Sequence, residues 1–476
     1  MSSDLVFITS EDDRYLVKGG IGTAVGIMVK AIRDIDPSRR IDWITESPVQ
    51  DSFVERDGAV SRHYVSRHGP AGRKTLSDFA TVISRYLADL VAARRIEDPE
   101  QGLIIEAADW EGLAADFFSA VDAPDILRVS RLHTPLAVCA ELNRLTPTEE
   151  NTRQMTRERW QLLNSDVLSS PTAWILHRTL DQVLLGEPGP PSRSIIPNGA
   201  KPTDQGPPKA DRRKSLSSLQ RLTGLTLPDS AFHVFVLGSL EIRKGSEIIQ
   251  RSIPSLFDAI PACHLTWIGH CAASGELTAN SKVDAATFYA AIPAQWHDRV
   301  HLTGFIDHAM LPDVLGAADL YALCYLGDNF PGAVLEVALA GVPMALLMRG
   351  GIPEMVVEAG QPLAYALLDT AEKSVEDQLV NAAVHVHANP GVAKSLALRL
   401  QSHIARCFAA PHVARGMLTT YERELRRKVT AAYERRPAPD GRDGCNRPNT
   451  PDETPLARTR HSGSIDSITE LKRHEP

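Results

Sequence analysis

Several things are scarce in this 476-residue sequence, and each absence narrows its function. There is no basic excess: 51 Lys and Arg stand against 59 Asp and Glu, a net charge of −8. Nucleic-acid binding as a main activity calls for a basic surface, so no nucleic-acid partner is expected. No apolar run approaches the ~18–20 residues of a membrane helix. The six cysteines (Cys139, Cys263, Cys271, Cys324, Cys407, Cys445) form no Cys-x2-Cys pair and mostly sit in apolar stretches, as reduced core cysteines do. No Gly-x4-Gly-Lys-Ser/Thr loop, Gly-x-Ser-x-Gly elbow or His-Glu-x2-His helix occurs. His385-Val386-His387 lacks a nearby third ligand, so no metal site is expected. The opening Met-Ser-Ser-Asp-Leu-Val-Phe-Ile-Thr has no basic stretch and reads as a first strand, which makes a cytoplasmic protein the expectation.

What is present is alternation. At about 150 residues per domain the length suits two or three domains. Leu5–Thr9, Ile41–Thr45, Leu103–Ala107, Ile126–Ser130 and Asp166–Ser169 read as strands, with a helix over Thr23–Ile35. Leu76, Phe79, Val82, Ile83, Tyr86, Leu87, Leu90 and Val91 mark a second helix. Its basic residues Arg73, Lys74, Arg85, Arg94 and Arg95 leave two readings, a core-packing helix, which is preferred, or contact with an anionic membrane surface. Residues 201–216, rich in Pro and charge, read as a surface connection. A second series follows, with strands at His233–Leu237, His264–Gly269, Val300–Thr303, Leu320–Leu326 and Met344–Leu347. Helices are expected at Ser246–Ala259, Leu311–Ala317 and Ala333–Ala340. Such alternation predicts an α/β protein with two doubly wound parallel-sheet domains, 1–200 and 201–411. A helix over 412–436 is expected to return to the first domain, and 437–476 is too polar to form a core.

Ligands of open parallel sheets bind beyond the carboxyl ends of the strands. The loop Gly327-Asp328-Asn329-Phe330-Pro331-Gly332 lies there, and the helix beginning near Gly332 offers unpaired N–H groups and a positive dipole end, which suit a phosphate. Asp328 and Glu336, eight positions apart, can face one ligand from two sides. Glu336 sits in an otherwise apolar helix, where a buried carboxylate is costly unless paired. Around Gly238-Ser239-Leu240-Glu241-Ile242-Arg243-Lys244-Gly245, a glycine turn with two cations at a strand end suits a diphosphate, although Arg243-Lys244 alone would be ordinary surface charge. Gly20, Gly22 and Thr23 belong to Lys18-Gly19-Gly20-Ile21-Gly22-Thr23, a glycine-rich loop ahead of a helix. With Gly26 and Glu46 it also passes as a dinucleotide fingerprint. Ser10 to Val17, however, separate it from its strand, and no Tyr-x3-Lys pair accompanies it.

The run Asp328-x7-Glu336, Gly341-Val342-Pro343 and Gly350-Gly351-Ile352-Pro353-Glu354 resembles the signature of the retaining glycosyltransferases of family four, the group 1 glycosyl transferases. The resemblance extends over most of residues 1–430. It implies the GT-B fold, two Rossmann-like domains facing a central cleft. It also implies transfer of a sugar from a nucleotide-diphosphate donor to an acceptor hydroxyl, with no tightly bound cofactor. By the resemblance, Glu336 would hold the ribose hydroxyls and Asp328 a hydroxyl of the donor sugar. Amides of Phe330, Pro331-Gly332 and Ala333 would line sugar and phosphate, with Lys244 and Arg243 near the diphosphate and Phe305 or Ile306 against the base. His133 would lie near the donor sugar. The Gly20–Gly22–Thr23 loop would close over donor and acceptor, Asp109 and Trp110 would be exposed on the acceptor side, and Ile196-Pro197-Asn198-Gly199 would be the hinge. Ser239 stands where the family carries an Arg. Either Arg243 compensates, or leaving-group stabilisation is weaker, or the protein binds without turnover. The acceptor stays open between a glycan, a lipid-linked glycan at the inner face of the membrane and a small molecule. The alternatives are a non-catalytic sugar-nucleotide or glycan-binding protein on the same fold and an NAD-dependent oxidoreductase.

Overall fold

In the first sheet, strands with no polar face demand cover on both sides. The computed structural model describes residues 3–15, 20–69, 72–201, 211–271 and 283–435, so Lys18, Gly19, Cys445 and the polar tail lie outside the described residues. The sheet contains β1 (Ser3–Ile8), β2 (Ile41–Glu46), β3 (Phe53–Asp57), β4 (Val60–Val65), β5 (Gly102–Ala108), β6 (Ile126–Arg131), β7 (Val167–Ser170) and β8 (Ser192–Ile195). Their order is β8-β7-β6-β5-β1-β2-β4-β3, parallel except for β3. Every residue of β1, β2 and β5 is buried. That pattern belongs to a parallel sheet with helices on both faces. One face is covered by α1 (Ile21–Ile35) through Val25, Met28, Val29 and Ile32. The other is covered by α2 (Leu76–Glu97) through Phe79, Ile83, Leu87 and Val91. A further helix, α3 (Glu149–Leu163), lies beyond it in the chain. The β3–β4 hairpin adds to the strands expected from the sequence; it turns at Gly58, whose φ of 61° suits glycine.

On α2 the core-packing reading holds. Arg94 pairs with the fully buried Asp42, Arg95 with Asp125 and Arg73 with Glu46. No helix among the described residues is long and apolar enough to cross a membrane.

The second sheet is wholly parallel: β9 (Phe232–Leu237), β10 (Cys263–Ile268), β11 (Val300–Gly304), β12 (Leu320–Leu323), β13 (Met344–Leu347) and β14 (Tyr365–Leu367). Its order, β11-β10-β9-β12-β13-β14, reverses direction between β9 and β12. That reversal opens a crevice at the carboxyl ends of these two strands, where doubly wound sheets take their ligands.

One expectation is corrected here. The stretch read as a surface connection over 201–216 includes the start of a helix, α4 (Arg212–Thr223), capped by Asp211. Its buried face is narrow, carrying Leu216 and Leu219 among Ser, Lys and Arg, so its periodicity is faint in the sequence. The longer helices of this half include α5 (Ser246–Ala259), α6 (Gly332–Leu339), α7 (Val375–Ala388) and α8 (Pro390–Cys407). The last, α9 (Ala410–Glu434), packs Val413, Ala414, Met417, Leu418, Tyr421 and Leu425 into the α1-side core of the first sheet. The chain therefore passes between the two sheets twice, and the passages lie side by side. The Ala200 N–H donates to the Phe408 carbonyl at 2.6 Å, and the Ala410 N–H to the Ala200 carbonyl at 3.2 Å.

Candidate active site

The switch point of the second sheet brings together most of the residues singled out in that half. After β9, Gly238 turns with φ 128° and Gly245 with φ 84°, both left-handed, so that the intervening Arg243 and Lys244 lie beside the loop after β12. Asp328 is 8% exposed. It is ion-paired with Lys244 and also meets the Arg243 guanidinium at 3.3 Å. Burial would raise its carboxyl, but the two cations outweigh burial and hold it below the usual range. Lys244 also lies 4.2 Å over the Tyr325 ring. Arg243 is half-buried, its side chain 13% exposed, and it is shared with Glu241 at 3.2 Å. Ser239 is half-buried in the same turn. Beyond Asp328, α6 begins after Pro331 with no side-chain cap, leaving the first turn, Gly332 and Ala333, exposed or half-exposed. The Phe330 ring is turned away, buried and edge-on to Phe408 at 5.2 Å.

Glu336 is not the buried carboxylate that its apolar helix suggests. Its side chain is 31% exposed, and Oε1 lies 3.2 Å from Nδ1 of His308, a residue that no motif marks. Of the two residues expected near a base, Ile306 is in the core while Phe305 is 44% exposed and stacks on His270 at 4.5 Å, 9° from parallel. Nothing in the spacing of His270 and His308 distinguishes them; only the fold places them together.

The first sheet supplies the opposing wall through its own switch point, between β1 and β5. Gly20 is exposed, and Gly22 and Thr23 begin α1. The amides of Ile21 and Gly22 donate to the Glu11 carboxylate at 2.8 and 3.2 Å, so an internal anion already sits at this helix start. Asp109, expected to be exposed, is fully buried. It accepts the backbone N–H of His133 at 3.0 Å because the chain after β5 turns inward and not toward solvent. Burial pushes its carboxyl up to about 7. Burial, then Asp109 itself, pushes neighbouring Glu158 up to about 8. Glu158 caps this region by accepting the amides of Glu111 and Leu136 at 3.1 and 2.8 Å. Trp110 is half-buried. The His133 ring borders a small cavity with Ala24, Val25, Glu106, Arg131 and Asn198. Burial, with the Arg131 charge, lowers it to about 3, so it is neutral there.

Asn329 joins the two walls. Its Nδ2 donates to the carbonyls of Leu132 at 3.1 Å and His133 at 2.6 Å. Its Oδ1 accepts the Thr172 hydroxyl at 2.9 Å. Glu354, from the Gly-Gly-Ile-Pro-Glu loop, accepts the amides of Ala173 and Trp174 at 2.8 and 2.9 Å. Asn143 accepts the Arg243 amide at 2.8 Å.

Residues 231–389, which hold this switch point, match the family described as Glycosyl transferases group 1. Over 186 residues the chain is 26% identical to a component of the human phosphatidylinositol N-acetylglucosaminyltransferase; the match covers 38% of this chain and 33% of that relative's length. Sucrose-phosphate synthase from Thermosynechococcus elongatus superposes with a TM-score of 0.64 at 17% identity, covering 90% of this chain and 100% of the other. The catalytic domain of starch synthase IV from Arabidopsis thaliana, bound to ADP and acarbose, gives 0.64 at 15% identity with the same coverage. The fold is GT-B, and the segment that carries Lys244, Asp328 and Glu336 is similar to the group 1 glycosyl transferases over residues 231–389.

Proposed function

We propose that the protein is a retaining glycosyltransferase that moves a sugar from a nucleoside-diphosphate donor to an acceptor hydroxyl. The observation that carries this reading is the grouping of Lys244, Asp328 and the open start of α6 at one switch point, with Glu336 one turn on. A nucleoside diphosphate fits it part by part. Glu336 takes the ribose hydroxyls and Phe305 the base. The α6 amides and Lys244 take the diphosphate, and Asp328 takes a hydroxyl of the sugar. As the glycosidic bond breaks, negative charge grows on the diphosphate, where fixed donors in a closed site act most strongly. With Ser239 in place of the family's Arg, and Arg243 held between Glu241 and Asp328, Lys244 is the cation on which this stabilisation rests. The departing phosphate accepts the acceptor's proton on the same face, so no separate carboxylate base is required, unlike a glycosidase pair. Closure of the first-sheet wall over the donor excludes water and suppresses hydrolysis. The donor arrives as a substrate, and the reading needs no resident cofactor. The acceptor is a glycan, a small molecule or a lipid-linked glycan; the similarity to part of a phosphatidylinositol-modifying transferase favours testing the lipid-linked class first, at the inner membrane face.

Thermal shift with UDP, GDP and ADP on the wild type and Glu336→Ala tests the donor site. A ligand at a hundred times its Kd stabilises by about 2.7 kcal/mol. A shift with one nucleotide that is lost in Glu336→Ala supports the reading, and no shift with any of the three overturns it. Turnover of the matching sugar nucleotides, with the product anomer read by NMR, then tests the chemistry; an inverted product overturns retention. Nucleotide binding with no turnover would favour a sugar-nucleotide-binding protein, the reading to which Ser239 and the enclosed Arg243 lend weight.

A further inference from the structure

The loop after β11 carries His308, which no part of the proposed reaction uses. Its side chain is 37% exposed, and Nδ1 meets Glu336 Oε1 at 3.2 Å. Three carboxylates face it: Glu336 from α6, Asp307 from its own loop, and Glu11 from the first-sheet wall. The contact engages Oε1 of Glu336, on a side chain that is itself 31% exposed.

We propose that His308 is a positioning residue for the nucleotide, holding one oxygen of Glu336 so that the other meets the ribose, and offsetting the Glu336 charge against the incoming diphosphate. The inference rests on the reading that Glu336 receives the ribose. Its physical basis is a conflict within the site. A carboxylate is a good acceptor for a vicinal diol, but an uncompensated one repels a nucleoside diphosphate at short range. An imidazolium on the far oxygen fixes the rotamer and cancels the charge without competing for the hydroxyls. The hydrogen bond to Glu336 holds the His308 ring above its ordinary pKa, with burial opposing it. A proton favoured by an anion is favoured further when the anionic nucleotide binds, so nucleotide affinity falls as pH rises through the His308 transition.

The test is calorimetric titration of UDP, GDP and ADP between about pH 6 and 9, on the wild type, His308→Gln and His308→Ala. Comparing each variant with the wild type at the same pH cancels the titration of the nucleotide's own phosphate. His308→Ala should weaken binding about three- to tenfold at the acid end, the size of one charge-assisted hydrogen bond. His308→Gln keeps a neutral donor, so it should bind more tightly than His308→Ala yet lose the wild-type excess at acid pH. A wild type that binds nucleotide while both His308 variants keep its affinity and pH profile overturns the inference and leaves the donor site standing. A wild type that binds none of the three nucleotides overturns the donor-site reading, and this inference with it.

Discussion

Replacing Lys244 by methionine keeps most of the side chain's length and volume and removes only its charge. In the wild type, buried Asp328 faces Lys244 and Arg243, and the two cations outweigh burial to hold its carboxyl low. In Lys244→Met, Asp328 keeps the Asn329 amide at 2.9 Å and a guanidinium at 3.3 Å that Glu241 already shares. Removing one partner of a buried pair costs about 3–5 kcal/mol. The retained guanidinium supplies part of that, so a loss of about 2 kcal/mol is expected at neutral pH. At about 2–4 °C per kcal/mol for a domain of this size, Tm falls by about 4–8 °C. The pH dependence has a definite sign. A carboxylate with a depressed folded-state pKa stabilises the protein above its unfolded value, about 4, and loses that contribution as pH falls through the folded value. The wild type has this contribution at neutral pH and the variant has lost most of it. The Tm gap should therefore be widest near pH 7 and close as the pH is lowered through about 4. Scanning calorimetry of both proteins over that range is the assay. Equal Tm values at neutral pH, or a gap that persists unchanged in acid, would refute the electrostatic account. In the proposed reaction the same variant loses its main diphosphate cation, and turnover should fall about 10²–10³-fold.

Three further outcomes follow from the geometry. Asn329→Ala removes three hydrogen bonds between the walls, each worth about 0.5–1.5 kcal/mol. Its kcat should fall while Glu336-dependent nucleotide binding persists, and steady-state kinetics beside thermal shift would expose the opposite pattern. Asp109 and Glu158 are acids raised to about 7 and about 8, so they favour the folded state in acid and cost stability as pH rises from about 4 through those values. Asp109→Asn should flatten part of the decline in Tm between about pH 4 and 7, and an unchanged slope would contradict the assignment. Arg94→Ala strands the fully buried Asp42 with only the His63 contact at 2.8 Å and should cost about 3–5 kcal/mol. Arg85→Ala, on the exposed side of α2, should stay within about 0.5 kcal/mol by denaturant titration, and equal losses would undo the core-packing role.

Most of the inner parallel strands are legible because they are rich in apolar residues, whereas the polar edge strand Ser192–Ile195 is not; strand Met344–Leu347 and helix Ser246–Ala259 agree with the sequence pattern to the residue. The β3–β4 hairpin and α4 escape that pattern for a common reason. β3 and α4 bury a thin stripe beneath many polar residues, and β4 is interrupted by Ser61, Arg62 and His63, so the apolar signal is weak. At the site, Asp328 and Glu336 can be picked out because one short stretch of chain carries their loop and helix together, and Lys244 because it lies in a glycine-flanked turn ahead of another helix. Their mutual arrangement cannot. Glu336 sits in an apolar segment because α8 packs on the rest of α6, yet its own position opens to the cleft. Asp109 stands at a strand end, where either burial or exposure fits the pattern, and only the inward turn toward His133 decides. His308 lies 28 positions from Glu336, and Asn329 spans 157 positions to Thr172. No local pattern encodes such pairs.

The return of α9 to the first sheet carries a consequence for how the chain is made. Tyr421 donates to buried Glu106 at 2.5 Å, Lys428 meets Asp166 at 2.8 Å, and Arg39 meets Glu422 at 2.8 Å. During synthesis, the first two hundred residues emerge with the α1 side of their sheet uncovered where Met417, Tyr421 and Leu425 will later lie. The second sheet, whose strands lie within a continuous stretch, can complete its core before the first does. The half translated first is thus finished last, and until then its apolar flank is an open edge for chaperones or for aggregation.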